Sequence, residues 1–139
     1  MATRGSRPAL LLTLVLLAAS LALSRGETRN LLNNIFNQHH VDNPKTPASD
    51  DNAYCDMMMW NRSIYWKLVN TFIHKPKKNI NKVCSLGGTP ILGDLRRSNA
   101  VFPTTQCTYN PLTWSFQGRP ISKQIVITCW NRLPATYLE

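Results

Sequence analysis

Three histidines, His39, His40 and His74, are the side chains best suited to moving protons near neutral pH, and none follows Lys75. His39 and His40 are adjacent and so diverge on a helix. They do not grip one metal ion together, and the chain has neither a Cys-x-x-Cys nor a spaced His-His pattern. No metal and no other cofactor is expected. His74 ends an apolar run and reads as a surface or hydrogen-bonded residue. Lys75, Lys77 and Lys78 form a basic run. Alone it is a solvated face; joined by Arg96 and Arg97 it makes a patch for RNA, heparan-type chains or anionic membranes. Asn61-Arg62-Ser63 is an N-glycosylation sequon.

The elements that position these residues follow from the apolar pattern. Leu31, Leu32, Ile35 and Phe36 place a stripe on a short helix ending near the histidines. The polar, proline-containing stretch 42–52 is a loop, with Asp50 or Asp51 able to cap the next helix. That helix carries Tyr54, Cys55, Met58 and Met59 as core, with Ile64 beyond. Leu68 to His74 is β-branched and aromatic, hence a strand; Pro76 opens a short helix on which Ile80, Val83 and Cys84 share a face. Ser85 to Asp94, holding three glycines and a proline, reads as an apolar surface loop. The clearest later strand is Ile121 to Trp130, where Ile121, Ile125, Ile127 and Cys129 alternate with polar residues. Helices first and strands last predict an α+β fold.

The chain has 139 residues, enough for one domain, and a net charge of +9. Its start, with Arg4 and Arg7, an apolar run from Ala9 to Leu23 and small residues at Ala22, Ser24 and Gly26, is the pattern of a secretory signal peptide. The run is shorter than the roughly 20 residues a spanning helix needs. Residues 1–26 are therefore expected to be removed, leaving a secreted domain over 27–139 with no integral membrane segment. Losing Arg4, Arg7 and Arg25 lowers the charge to +6, so the basicity belongs to the domain. Aromatic and aliphatic residues spread along it exclude intrinsic disorder. Cys55, Cys84, Cys107 and Cys129 are expected to be paired in that oxidising destination.

Three segments carry a resemblance: Lys67-Leu-Val-Asn70-Thr71-Phe72-Ile-His74, Tyr54-Cys55 followed by Met58-Met59, and Cys129-Trp-Asn-Arg-Leu-Pro134. Together they resemble the pancreatic-type ribonuclease (RNase A) superfamily, in its angiogenin-like branch, over nearly all of Arg29 to Glu139. The resemblance implies short N-terminal helices packed on a curved antiparallel sheet, and disulfides Cys55–Cys107 and Cys84–Cys129. It also implies RNA cleavage by two histidines and a lysine. One histidine takes the 2′-hydroxyl proton, the other protonates the leaving oxygen, and the lysine stabilises the charged transition state. His40 fits the first histidine, because Phe36 precedes it by four and His40-Val41-Asp42 matches the family's His-x-Asp; His39, after Gln38, is the alternative. Lys67 fits the lysine, with Asn70 and Thr71 as substrate-binding residues, Thr71 reading a pyrimidine.

The sequence departs from the family pattern in more than one place. Seven residues after the last cysteine, where the second histidine belongs, stands Thr136, whose hydroxyl is no general acid near neutral pH. Leu138 replaces its supporting aspartate, and the segment between Cys55 and Lys67 is about two residues shorter than in the resembled branch. Trp66 and Trp114 replace the two cysteines of a third disulfide, leaving room for a Trp–Trp contact. The expectation is a monomeric, catalytically impaired protein that binds RNA, another polyanion or a cell-surface partner, as similar inactive relatives do in host defence or reproduction. The alternative is a weak pyrimidine-preferring endoribonuclease using His40 and Lys67.

Overall fold

The computed structural model describes the backbone of residues 2–139 and the side chains of residues 12–20 and 30–139. Helix α1 spans Ala2–His40, longer than the short helix expected to end near the histidines. No proline lies between Ala9 and Asn43, and Leu and Ala are among the strongest helix formers, so nothing local stops the helix. Residues up to Leu31 form one compact unit and Leu32–Glu139 another. In the first, Leu12, Leu14, Val15, Leu16 and Leu17 are 55% to 61% exposed. Among the described residues, no helix is long and apolar enough to cross a membrane.

The predicted stripe is corrected. Only Phe36 enters the core, while Leu31 and Ile35 are exposed. The buried face is Phe36 with His40, four residues apart, their rings 5.2 Å from one another. Helix α2, Asp51–Asn61, is capped by Asp50, whose carboxylate accepts the Ala53 amide proton at 2.7 Å. Its Tyr54, Cys55, Met58 and Met59 are buried as expected. Strand β1, Val69–Ile73, follows, then α3, Lys77–Asn81, and a single 3₁₀ turn, Lys82–Cys84. Strands β2 (Gly88–Leu92), β3 (Leu95–Ser98), β4 (Phe102–Asn110), β5 (Ser115–Lys123), β6 (Val126–Trp130) and β7 (Leu133–Tyr137) complete the chain.

The strands form two antiparallel sheets, ordered β1-β4-β5 and β2-β3-β6-β7. Two expectations are corrected here. The stretch 85–94 is not all loop, because β2 pairs with β3 across a tight turn at Gly93, whose φ of +56° suits glycine. Its strand residues are mostly exposed, so no alternation marked it. Ile121–Trp130 is not one strand: the chain leaves the first sheet after Lys123 and enters the second at Val126. Ile125 and Ile127 stay buried across that break, so the alternation survives while the sheet changes.

Two cores result. Phe36, Val41, Ile73, Ile80, Val83, Phe102, Ile125 and Ile127 form the first, with Cys84, Cys129 and Tyr137 against it. Tyr54, Cys55, Met58, Met59, Ile64, Phe72, Cys107 and Phe116 form the second. Neighbouring residues of β1 serve both, Ile73 one and Phe72 the other. The disulfides are Cys55–Cys107 and Cys84–Cys129, one at each core. Helix α2 lies directly on β5 at Gly118, where a Cβ would stand 2.1 Å from the Asp51 carbonyl oxygen. A Trp66–Trp114 contact does not fill the place of a third disulfide. Trp66 is 66% and Trp114 83% exposed. The Trp66 ring faces His39 instead, edge-on at 6.3 Å.

Candidate active-site cleft

The last turn of α1, strand β1 and the end of β7 converge on His40. Its Nδ1 lies 2.8 Å from the Thr71 carbonyl oxygen. A carbonyl only accepts, so Nδ1 carries the proton and Nε2 keeps its lone pair, the tautomer a proton acceptor needs. The ring is buried, and the Tyr137 ring stacks on it at 5.0 Å and 25°. Burial is the main reason that the His40 pKa falls to about 3; the nearby Lys67 and His39 lower it further, against the opposing Thr71 hydrogen bond. His40 is therefore neutral at physiological pH and a feeble base.

Lys67 and Asn70 tie the cleft to the helix end. Lys67 Nζ donates to Asn70 Oδ1 at 2.7 Å, and Asn70 Nδ2 donates to the His39 carbonyl oxygen at 2.8 Å. Partial burial lowers the Lys67 pKa, with Glu139 pulling the other way. His39 is half-buried, its ring edge-on to His40 and to Trp66, and burial followed by the Lys67 charge lowers its pKa. Thr71 is fully engaged: its amide and hydroxyl donate to the two Glu139 carboxylate oxygens at 2.9 and 2.7 Å. The Tyr137 hydroxyl is buried; burial, then Glu139, raises its pKa to about 12, and the Thr71 side chain opposes the rise.

Asp42 fixes the end of α1 from behind. Burial alone would raise its pKa, but hydrogen bonds from the Thr46 amide, the Tyr54 hydroxyl and the Thr46 hydroxyl, with Arg62 3.6 Å away, lower it overall. Arg62 also donates to the Asn37 and Gln38 carbonyl oxygens. His74 is hydrogen-bonded at both nitrogens, to the Asp42 carbonyl and the Thr105 hydroxyl. Among the described residues, no three His, Cys, Asp or Glu side chains cluster as metal ligands.

Residues 33–137 match the family described as pancreatic ribonuclease. The chain belongs to the pancreatic ribonuclease family. It is 38% identical over 109 residues to the pancreatic ribonuclease of Iguana iguana, covering 73% of this chain and 92% of that one. It is 35% identical over 108 residues to the angiogenin of Mus musculus, covering 73% and 72%. Green turtle egg white ribonuclease has the same fold, with a TM-score of 0.74 at 33% identity over 78% of this chain and 97% of that one.

In this pancreatic ribonuclease relative the structure brings together His39, His40, Lys67, Asn70 and Thr71, while the hydrogen bond of Thr136 goes to Thr128. Hairpin β6–β7 turns through Asn131 and Arg132, both at positive φ, the type I′ geometry of a two-residue turn. Thr136 then pairs with Thr128, its hydroxyl 2.5 Å from the Thr128 hydroxyl and exposed. Leu138 is exposed. The basic residues also part company. Lys75, Lys77, Lys78 and Arg97 are exposed, whereas Arg96 donates to the Val83, Ser85 and Gly88 carbonyl oxygens. Lys77 lines a polar cleft of about 410 Å³ beside Arg62, while Arg97 lines another of about 170 Å³. Asn61 is exposed at the end of α2.

Sequence reasoning missed Tyr137 and Glu139. No spacing signal announces them, because each meets a partner far away in the chain: Glu139 is 68 positions from Thr71. The one pointer was negative, the absence of histidine and aspartate from the same C-terminal stretch.

Proposed function

We propose that this chain is a secreted binding protein on a ribonuclease framework, its cleft no longer equipped for efficient RNA cleavage. The observation that carries the reading is Thr136, a neutral hydroxyl bonded to Thr128 where the family resemblance expects the proton donor. Cleavage needs one group to take the 2′-hydroxyl proton and another to protonate the departing 5′-oxygen. Here the first is a covered His40 of strongly lowered pKa, and the second is a threonine. Glu139 on Thr71 supports the same view, since both pyrimidine-reading groups of Thr71 are occupied.

What remains suits binding. Lys67, the exposed lysines of 75–78 and Arg97 offer positive charge to RNA or another polyanion, and the β2–β3 hairpin with the turn before it, where Leu92 and Leu86 are well exposed, offers a surface to a cell-surface protein. Residues 1–26 act as a signal peptide in this reading, supported by the exposed apolar side chains of that segment. The mature chain is a monomer glycosylated at Asn61.

A second reading, weak pyrimidine-preferring cleavage by His40 and Lys67, is favoured by one observation: His40 holds the base-competent tautomer. Turnover of a uridine-adenosine dinucleotide separates the two. The binding reading expects no turnover above a His40→Ala control; turnover lost equally in His40→Ala and Lys67→Ala establishes the second.

A further inference from the structure

Beside the cleft stands an exposed set of rings that the catalytic framework does not use. Trp60 and Tyr65 stack at 5.0 Å and 30°, yet remain 67% and 57% exposed. Trp66, next in sequence, is 66% exposed and edge-on to His39 at 6.3 Å. Lys67 follows directly. The turn that presents them is anchored: Ile64 between them is buried, its amide donates to the Met59 carbonyl oxygen, and Ser63 at φ +59° folds the chain back so that Tyr65 returns over Trp60. The Lys67 amide closes the turn on the Ile64 carbonyl oxygen. Exposed aromatic surface on a fixed turn costs little ordering when a flat ligand lands on it.

From this juxtaposition we propose that Trp66 and the Trp60–Tyr65 pair form a stacking platform for unpaired bases of single-stranded RNA, whose phosphates lie against Lys67. The proposal rests on the RNA-binding reading above and deepens it. Charge complementarity selects the occupant: the rings adjoin Lys67 on a domain of charge +6, which suits a polyanion that also carries flat faces. Duplex bases are already stacked on one another and present no face to a convex turn. Sulfated chains satisfy the cations but lay only C–H faces, not π-faces, on the rings. The cleft gives the platform a reason, since Thr71 is occupied by Glu139 and a bound strand finds its base contacts elsewhere.

The test measures affinity of the mature chain for a fluorescein-labelled 2′-O-methyl 12-mer, an abasic 12-mer of equal charge, and phosphatidylserine vesicles. The wild type is expected to hold the base-bearing strand at least about tenfold tighter than the abasic one. Trp66→Ala, and Trp60→Ala with Tyr65→Ala, should each remove about tenfold from the first and nothing from the second. Trp66→Phe should keep most of the preference, and also serves if an alanine variant fails to fold by circular dichroism. Equal binding of both strands, unchanged in the variants, overturns the platform and leaves the polyanion reading standing. No binding of either strand to the wild type overturns both. Loss of vesicle binding alone assigns the rings to a membrane and overturns the proposal.

Discussion

The Glu139 carboxylate accepts both hydrogen bonds that Thr71 has to give, one from the amide and one from the hydroxyl. A pyrimidine read by those groups has to displace a charged acceptor that also lies near Lys67. Hydrogen bonds to charged groups contribute about 1.5 to 3 kcal/mol, less where solvent reaches them. Glu139→Ala is therefore expected to strengthen binding of uridine 3′-phosphate by about tenfold. Calorimetric titration checks this, and identical affinity in wild type and variant refutes the blockade.

His40 makes stability depend on pH. Its pKa is about 3 in the fold and 6.5 unfolded, so between those values the unfolded chain binds a proton that the native one does not. The stabilisation is fully present above pH 6.5 and is lost as pH falls toward 3, in total on the order of 5 kcal/mol. His39 and His74, also lowered, act in the same direction. The urea midpoint should fall steeply over this range, and His40→Gln should flatten the fall.

The framework was legible in the sequence because it is written in local patterns: the Asp50 cap, the methionine-bearing helix, and the β-branched run before His74. The β5–β6 break was not, since Ile121, Ile125 and Ile127 keep one alternation while the chain changes sheets. At the site, His40, Lys67, Asn70 and Thr71 lie in two recognisable segments and do converge. Tyr137 and Glu139 escaped because stacking on His40 and capping Thr71 depend on how β7 closes against β1, which no local pattern encodes.

Arg96 and the lysines should separate in experiment. Arg96 holds three backbone carbonyls around the β2–β3 hairpin, so Arg96→Ala is expected to cost about 1 to 3 kcal/mol of stability with little change in salt dependence. Lys77→Glu with Lys78→Glu should leave the melting temperature nearly unchanged. If RNA binds there, the pair should lower the slope of log affinity against log salt by about 0.7 per lost contact. Melting curves and a salt titration read both effects.

Reduction should be costly in a fold with two disulfides. Cys55–Cys107 and Cys84–Cys129 close loops of 52 and 45 residues, and each is expected to contribute about 2 to 5 kcal/mol. Replacing Cys55 and Cys107 together by alanine also removes sulfur from the second core, so that variant should melt far below the wild type. Peptide mapping without reduction checks the pairing; a Cys55–Cys84 peptide contradicts it.

Restoring the proton donor gives the most direct test of the cleft. On the proposed reading of position 136, Thr136→His is expected to give the leaving oxygen an acid, and Leu138→Asp to give that imidazole a partner. A donor alone typically contributes about 10² to 10⁴ in rate. Less is expected here, because the other half of the pair is His40, held near pKa 3 and covered by Tyr137. Base and acid act in one transition state, so their deficits do not simply add. The histidine variant should gain about tenfold to a hundredfold on a dinucleotide. His40→Ala should abolish that gain. Adding Tyr137→Leu should raise it further by uncovering the base, with the His40 titration in NMR moving upward in step. A gain that persists without His40 shows that some other group removes the proton, and an unmoved His40 titration shows that Tyr137 is not what lowers its pKa.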